Sequence, residues 1–236
     1  MPTLKWFTAS RILRLCCAGA LASSLSFAAD AGIVLSQAVV DITPNAPLAQ
    51  DIEVWNDGND VAYVVAQPFE IVSPGLQDEK RQPVEDPSVG GLLVTPQKMI
   101  LQPGERKLVR IAAVTPRGGS DRVWRVTIKP VAGPVTAPES ALKLLLGYDV
   151  LVIARPETLH SDVVGERSGS TLTLRNTGNT NVELYDGKLC PPGGVACAAM
   201  PSKRLYPGQA WAQPLAGAGA VTYRVATGAD SRVQPF

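Results

Sequence analysis

A pattern of strands and turns occurs twice along this chain, and it restricts the fold more than any other feature. The segment IEVWNDGNDVAY, positions 52–63, aligns without a gap with LTLRNTGNTNVE, positions 172–183. In each copy, alternating apolar residues precede and follow an Asn-x-Gly-Asn turn, as expected for β-strands joined by a short connection. Asn and Gly tolerate positive φ, which we expect these turns to require.

Two further pairs of segments repeat in the same order. LQPG at positions 101–104 recurs as LYPG at positions 205–208, and WRV at positions 124–126 recurs as YRV at positions 223–225. Each Pro-Gly pair predicts a turn that opens a new strand. One plan used twice predicts an all-β fold of two related β-sandwiches, and a single large sandwich explains the repeated order less well.

The boundary between the two copies falls at Arg155-Pro156-Glu157. Pro156 cannot donate a hydrogen bond to a sheet and should end the strand that precedes it. We therefore expect a first domain at residues 30–154 and a second at residues 157–236. The second is small enough to gain much from a disulfide.

The N-terminus is typical of a secretory signal peptide at residues 1–28. Basic residues precede an apolar run at positions 15–25, and Ser26-Phe27-Ala28 supplies the small residues of a cleavage site. The run is too short to span a bilayer as a helix. A lipoprotein signal at Cys16 is the alternative, but Arg14-Leu15-Cys16 matches a lipobox poorly.

Two cysteines remain after the signal peptide, Cys190 and Cys197, and they flank a segment that begins Pro191-Pro192. An exported chain meets an oxidising compartment, which favours a disulfide between them. A redox or metal-binding pair is the alternative. The six intervening residues do not match redox spacing, and no histidine lies nearby.

Residues typical of catalysis are scarce. The chain has one histidine, His160, near the boundary, without a nucleophile-elbow motif. Gly217 and Gly219 lack the βα unit of a dinucleotide fingerprint, and metal-ligating residues are not clustered. The net charge of +1 disfavours nucleic-acid binding. We expect no enzyme activity, cofactor or bound metal.

The longest apolar segment, ALKLLLGYDVLVI at positions 141–153, predicts a strand. Alternation places Leu142, Leu144, Leu146, Tyr148 and Val150 on one continuously apolar face. A buried core strand is one interpretation. A sheet edge that offers its apolar row to a partner is the other, and a strand of about five or six residues would suffice for the core alone.

The order and spacing of several motifs resemble the PapD-like periplasmic chaperones of the chaperone–usher pilus pathway, over nearly the whole mature chain. The matching segments are SQAVVD at 36–41, NDGN at 56–59, LVTP at 93–96, LQPGE at 101–105, VRI at 109–111, RVWR at 122–125, the strand at 150–156, and positions 172–179 and 205–208.

The resemblance implies two immunoglobulin-like domains in an L or boomerang arrangement, located in the periplasm. It further implies that the chain completes pilus or fimbrial subunits, which lack a final strand, by donor-strand complementation, and delivers them to an outer-membrane usher. The donor side chains would be Leu142, Leu144, Leu146 and Tyr148. Burying three leucines could contribute about 1.5–3 kcal/mol each.

The chain departs from that family at one functional position. Much of the family grips the subunit's terminal carboxylate with an arginine and a lysine, where this chain has Gln37 and Leu151. Arg125 and Lys129, on one face of a strand, or Arg155 at the boundary are candidate substitutes.

Two other functions remain open from the sequence. The chain could be a structural pilus component, although little sequence precedes Ile33 to serve as an N-terminal extension. It could also be a carbohydrate-binding sandwich, although its tryptophans are scattered. Whether the free protein self-associates through its apolar edge is open as well.

Overall fold

The computed structural model describes residues 32–132, 145–193 and 196–236. The predicted signal peptide, Leu142 and Leu144 lie outside these ranges. The described chain is nearly all β-strand, which confirms the predicted class. The strands of the first half are β1 Ile33–Leu35, β2 Val39–Ile42, β3 Ala49–Asn56, β4 Ala62–Val72, β5 Lys80–Pro83, β6 Leu92–Thr95, β7 Lys98–Leu101, β8 Arg106–Ala113, β9 Arg122–Val131 and β10 Tyr148–Ala154, with a short helix α1 at Pro87–Gly90.

These strands form two sheets that enclose one core. The first sheet has the order β1-β3-β8-β6, and the second has the order β2-β10-β9-β4-β5, with β7 also paired to β4. β2 runs parallel to β10, whereas the other neighbours are antiparallel. Period-two alternation explains the layering, since Ile52 and Val54 of β3 are buried while Asp51 is exposed.

The second half repeats this architecture with its own core. Its strands are β11 Val163–Ser168, β12 Thr171–Asn176, β13 Val182–Cys190, β14 Ala198–Met200, β15 Lys203–Leu205, β16 Ala210–Pro214, β17 Ala220–Thr227 and β18 Asp230–Pro235. One sheet is β11-β12-β16, and the other is β14-β13-β17-β18 with β15 paired to β13. Tyr223 takes the place that Trp124 has in the first core, as the WRV/YRV repeat predicts.

The two Asn-x-Gly-Asn turns form the same hydrogen bonds. Asn56 and Asn176 are both buried, and each side-chain amide donates to two backbone carbonyls while its oxygen accepts the N–H of the glycine two residues on. The carbonyls belong to Asp60 and Leu101 in the first copy, and to Thr180 and Leu205 in the second. The repeat therefore fixes where the following Pro-Gly turn docks in each sandwich.

The expectation that these turns need positive φ is wrong for the Asn-x-Gly-Asn segments. Positive φ occurs instead at the Pro-Gly turns, with +74° at Gly104 and +80° at Gly208. Gly178 is required for a different reason, because a Cβ there would collide with the carbonyl oxygen of His160. Asn is required for its side chain, which satisfies buried backbone groups that no strand can reach.

Residues 31–236 form one compact unit, so the two sandwiches contact each other directly. A small apolar cluster on the outer face of β4, β9 and β10 packs against Tyr206 of the second half; its members are Ile71, Val123, Leu151 and Ile153. The Gln209 side chain also donates to the carbonyl of Gly75, at 2.6 Å. The end of β10 is therefore buried on both faces.

The predicted disulfide is confirmed, with Cys190 bonded to Cys197 and their Cα atoms 4.2 Å apart. In the described part of the chain, His, Cys, Asp and Glu residues form no group that could hold a metal ion. No helix among the described residues is long and apolar enough to cross a membrane.

Candidate functional site: the open end of β10

Burial decreases steadily along one face of β10 towards its N-terminal end. Val150 and Val152 are fully buried in the first core, and Tyr148 is half-buried against it. Leu146, two residues before Tyr148, is 66% exposed. The apolar row predicted from the sequence is therefore continuous over its described part, and it leaves the core before it ends.

Tyr148 belongs to the inner part of this row. Its ring packs against the first core, and its hydroxyl donates to the carbonyl oxygen of Ile33 at 3.2 Å. The side chain thus serves its own sandwich. Among the described residues predicted to contact a subunit through this row, Leu146 is the one that projects from it.

The backbone of β10 has an open side at the same end. β2 pairs with β10 from Leu151 to Ala154, where the Leu151 N–H donates to the Ala38 carbonyl. Since backbone groups alternate in direction along a strand, the N–H and C=O of Asp149 point to the side that β2 would occupy. No residue of β2 pairs with β10 before Leu151 in the described chain, so these groups face an unpaired edge.

The chain just before β10 stays close to β9. A Cβ on Gly147 would lie 2.5 Å from the Cβ of Lys129 and 3.1 Å from the carbonyl oxygen of Ile128. Glycine lets the backbone pass at this distance where any side chain would force it away. Residues 145–147 therefore continue the path of β10 although they make no regular ladder.

A cluster of charges lies on the outer face beside this edge. Arg81 of β5 donates to both carboxylate oxygens of Asp149, at 2.7 and 3.0 Å, and to the hydroxyl of Thr127. Arg125 donates to the Asp149 backbone carbonyl at 3.2 Å, and its Nε lies 3.9 Å from the carboxylate. Burial opposes ionisation of Asp149, but the Arg81 hydrogen bonds and charge outweigh it and hold its pKa below the ordinary value.

The structure brings some of the predicted anchor residues to this edge. Arg125 is half-buried beside Asp149, and Lys129 is exposed further along the same face. Gln37 is half-buried in the connection between β1 and β2, just before the first pair of β2 with β10. Leu151 is buried against the second sandwich, so no charge stands at its position.

Arg155 occupies a different environment. Its side chain is 1% exposed, and it donates to both oxygens of Asp41, at 2.7 and 2.8 Å. Its remaining nitrogen donates to the Thr180 hydroxyl and the Asn181 carbonyl of the second half. The guanidinium is fully engaged, so it links the two sandwiches and is not free to bind a partner.

Asp121 is a second buried charge at this junction. It accepts hydrogen bonds from Thr180 and from the backbone and side chain of Asn181. Burial raises its pKa, although those bonds and the charge of Arg155 act in the opposite direction.

Sequence reasoning did not identify Arg81 or Asp121. Arg81 lies 68 positions from Asp149 and reaches it only because β5, β4, β9 and β10 are neighbours. Asp121 is part of a loop before β9, with no periodicity to indicate burial. Knowledge of the strand order would have been needed to find either residue.

Comparison with known proteins places this edge in context. No protein-family model matches the chain. A CS1 fimbrial protein of Escherichia coli, named as one of the CS1 fimbrial subunits, is 28% identical over 172 residues, which cover 68% of this chain and 71% of that protein.

Solved structures share the fold over most of their length. The class 5 fimbriae chaperone CfaA superposes with a TM-score of 0.66 at 20% identity, over 86% of this chain and 98% of that one. A chain from a chaperone–tip adhesin complex of CFA/I fimbriae biogenesis gives 0.62 at 19% identity, over 86% and 97%. At these identities the likeness establishes the fold.

Proposed function

We propose that this chain, which has the fold of the PapD-like periplasmic chaperones, binds a fimbrial subunit at the open end of β10. It adds a strand to the subunit and holds it until it passes to an outer-membrane usher. The chain would act in the periplasm, without catalysis, cofactor or metal. Its two domains would be residues 30–154 and 157–236, each containing one of the two large cores.

One observation carries this proposal: an apolar side-chain row and an unpaired backbone edge coincide at the same end of one strand. Leu146 extends the row of Val150 beyond the core, and the backbone groups of Asp149 face the open side. An added strand would gain main-chain hydrogen bonds from the edge and apolar contacts from the row. A strand that served only its own core would have neither feature.

Leu142 and Leu144 would extend the same row, as their spacing predicts. Arg125 and Lys129 would supply positive charge for a carboxylate of the subunit, since both lie on the face next to the edge. Gln37, at the start of β2, would contribute a neutral polar contact. Arg155 would have no such role, because Asp41 already occupies it.

The experiment compares Leu146→Asp with Leu108→Asp in tagged protein isolated from the native periplasm. Leu108 is a matched control, because it is 57% exposed and lies on the outer face of the opposite sheet. Burial of a leucine contributes about 1.5–3 kcal/mol, so its loss should weaken the complex with the subunit by about tenfold or more. We expect wild type and Leu108→Asp to retain a one-to-one complex, and Leu146→Asp to lose it.

The recovered partner must be a β-sandwich surface subunit that lacks its last strand. Equal recovery of such a partner with both variants would contradict the assignment of the edge. Recovery of this chain itself within assembled fibres would instead make it a structural component. The closed first core argues against that second function, since an incomplete sandwich would leave a groove along its core.

A further inference from the structure

An open strand edge is a hazard for the free protein. Unpaired N–H and C=O groups template pairing with other chains, and natural proteins cover or charge such edges. At the open end of β10, the side chain that covers the edge comes from the neighbouring strand. Arg125 of β9 reaches across to donate to the carbonyl of Asp149, at 3.2 Å.

That carbonyl is one that an added strand would need. It points to the open side of β10, because the Leu151 N–H two residues later donates to β2. While Arg125 holds it, an incoming backbone N–H meets a partly satisfied acceptor and a bulky cation. The guanidinium therefore competes with strand addition at the first pair beyond β2.

The cap is held in place from its other side. The carboxylate of Asp149 is fixed by Arg81 and accepts from the Thr127 hydroxyl at 3.1 Å, and Arg81 lies over the Phe69 ring at 4.3 Å. This places a negative charge 3.9 Å from the Nε of Arg125. The contact is long and exposed, so it directs the guanidinium without locking it.

The cluster carries an excess of positive charge. Arg81, Arg125 and Lys129 face one described carboxylate on this surface, that of Asp149. An arginine released from the edge therefore has an electrostatic reason to bind a carboxylate on the partner.

We propose that Arg125 is a removable cap on the open edge of β10. In the free protein it donates to the Asp149 carbonyl; on strand addition that carbonyl passes to the partner's N–H, and the guanidinium turns to a carboxylate at the end of the added segment. The inference rests on the proposed function, and it names an extended segment that ends in a carboxylate as the partner.

The test uses two synthetic strands of alternating valine and threonine, each about nine residues long, which is within the usual length of a strand. One ends in a free carboxylate and the other in a carboxamide. Calorimetry measures the binding of each to wild type, to Arg125→Gln and to Arg110→Gln. Arg110 is a matched control, since it pairs with Asp51 on the opposite sheet and lies outside the site.

We expect wild type to prefer the carboxylate peptide by about fivefold, the size of a single exposed charged hydrogen bond. Arg125→Gln should bind the carboxamide peptide about threefold more tightly than wild type does, because the cap is gone, and should show no preference between the peptides. Arg110→Gln should behave as wild type. Tighter binding on loss of an arginine is not expected of a residue that merely supports the fold.

Weaker or unchanged binding of the carboxamide peptide to Arg125→Gln would overturn the cap while leaving the open edge intact. Failure of wild type to bind either peptide would overturn the open edge, and the cap with it. If Arg125→Gln does not fold, Arg125→Lys serves the same comparison. It keeps the charge but loses the planar fork, so it should keep the carboxylate preference and still bind the carboxamide peptide more tightly than wild type.

Discussion

Arg155 provides a sharp test of the junction between the two sandwiches, because the chain offers an exposed pair of nearly identical geometry. Arg155 and Asp41 form two hydrogen bonds of 2.7 and 2.8 Å, and Arg110 and Asp51 form two of 2.8 and 2.9 Å. The arginine side chains are 1% and 60% exposed. Burial is therefore the main difference between the two pairs.

The expected change follows from that difference. Arg155→Met leaves Asp41 without its partner and removes the donor to Thr180 and Asn181, so the free energy of unfolding should fall by about 3 kcal/mol. For a chain of this size, that corresponds to a melting temperature about 6–12 °C lower. Arg110→Met should lower the free energy of unfolding by at most about 1 kcal/mol, because an exposed pair is screened by solvent.

Thermal and urea unfolding followed by circular dichroism measure both variants. The double variant Asp41→Leu/Arg155→Met should recover part of the loss, since no charge is then left unpaired. Equal effects of Arg155→Met and Arg110→Met would refute the argument that burial sets the energy of this contact. Full stability combined with a lost complex with the subunit would return Arg155 to the role of an anchor.

Two further predictions concern the same junction. Because burial raises the pKa of Asp121, wild type should gain stability relative to Asp121→Asn as pH falls from 7 through that raised pKa, with the gain complete below the ordinary value of 3.8; a pH-independent difference in urea unfolding would contradict this. Gly178→Ala should lower the free energy of unfolding by about 1–3 kcal/mol, because the added methyl group meets the carbonyl of His160. Gly119→Ala, whose Cβ meets nothing within 4 Å, should not change it, and equal effects of the two would rule out the steric account.

The local features of this fold could be predicted from the sequence because they depend on neighbouring residues. The duplicated turns, the strand at β10 and the disulfide of Cys190 and Cys197 all follow from short-range chemistry. The reason for the shared order within the repeat could not be predicted. Asn56 and Asn176 act through carbonyls up to 45 residues away, which a local rule for turns does not include.

The candidate site was predictable in part for the same reason. Alternation identified the apolar row to which Leu146 belongs, but it placed Leu151 on a mixed face with exposed residues. The structure buries Leu151 against Tyr206 of the second half. Contacts between the sandwiches, like that of Arg81 with Asp149, depend on strand order and docking, and neither is encoded in a spacing of two or three residues.

The constraints on β10 are distributed unequally, and this distribution suits a strand that must be both stable and open. Near Ile153 the strand has neighbours on both edges and packed side chains on both faces, and Arg155 then ties it to the second sandwich. Near Asp149 it has one neighbouring strand and a side-chain cap. A short open edge next to a rigid one limits unwanted pairing, because only a few backbone groups are exposed and a second chain must displace Arg125 to reach them. Binding at the open end therefore need not disturb the core, since the side chains that would change partners are those that the core does not use.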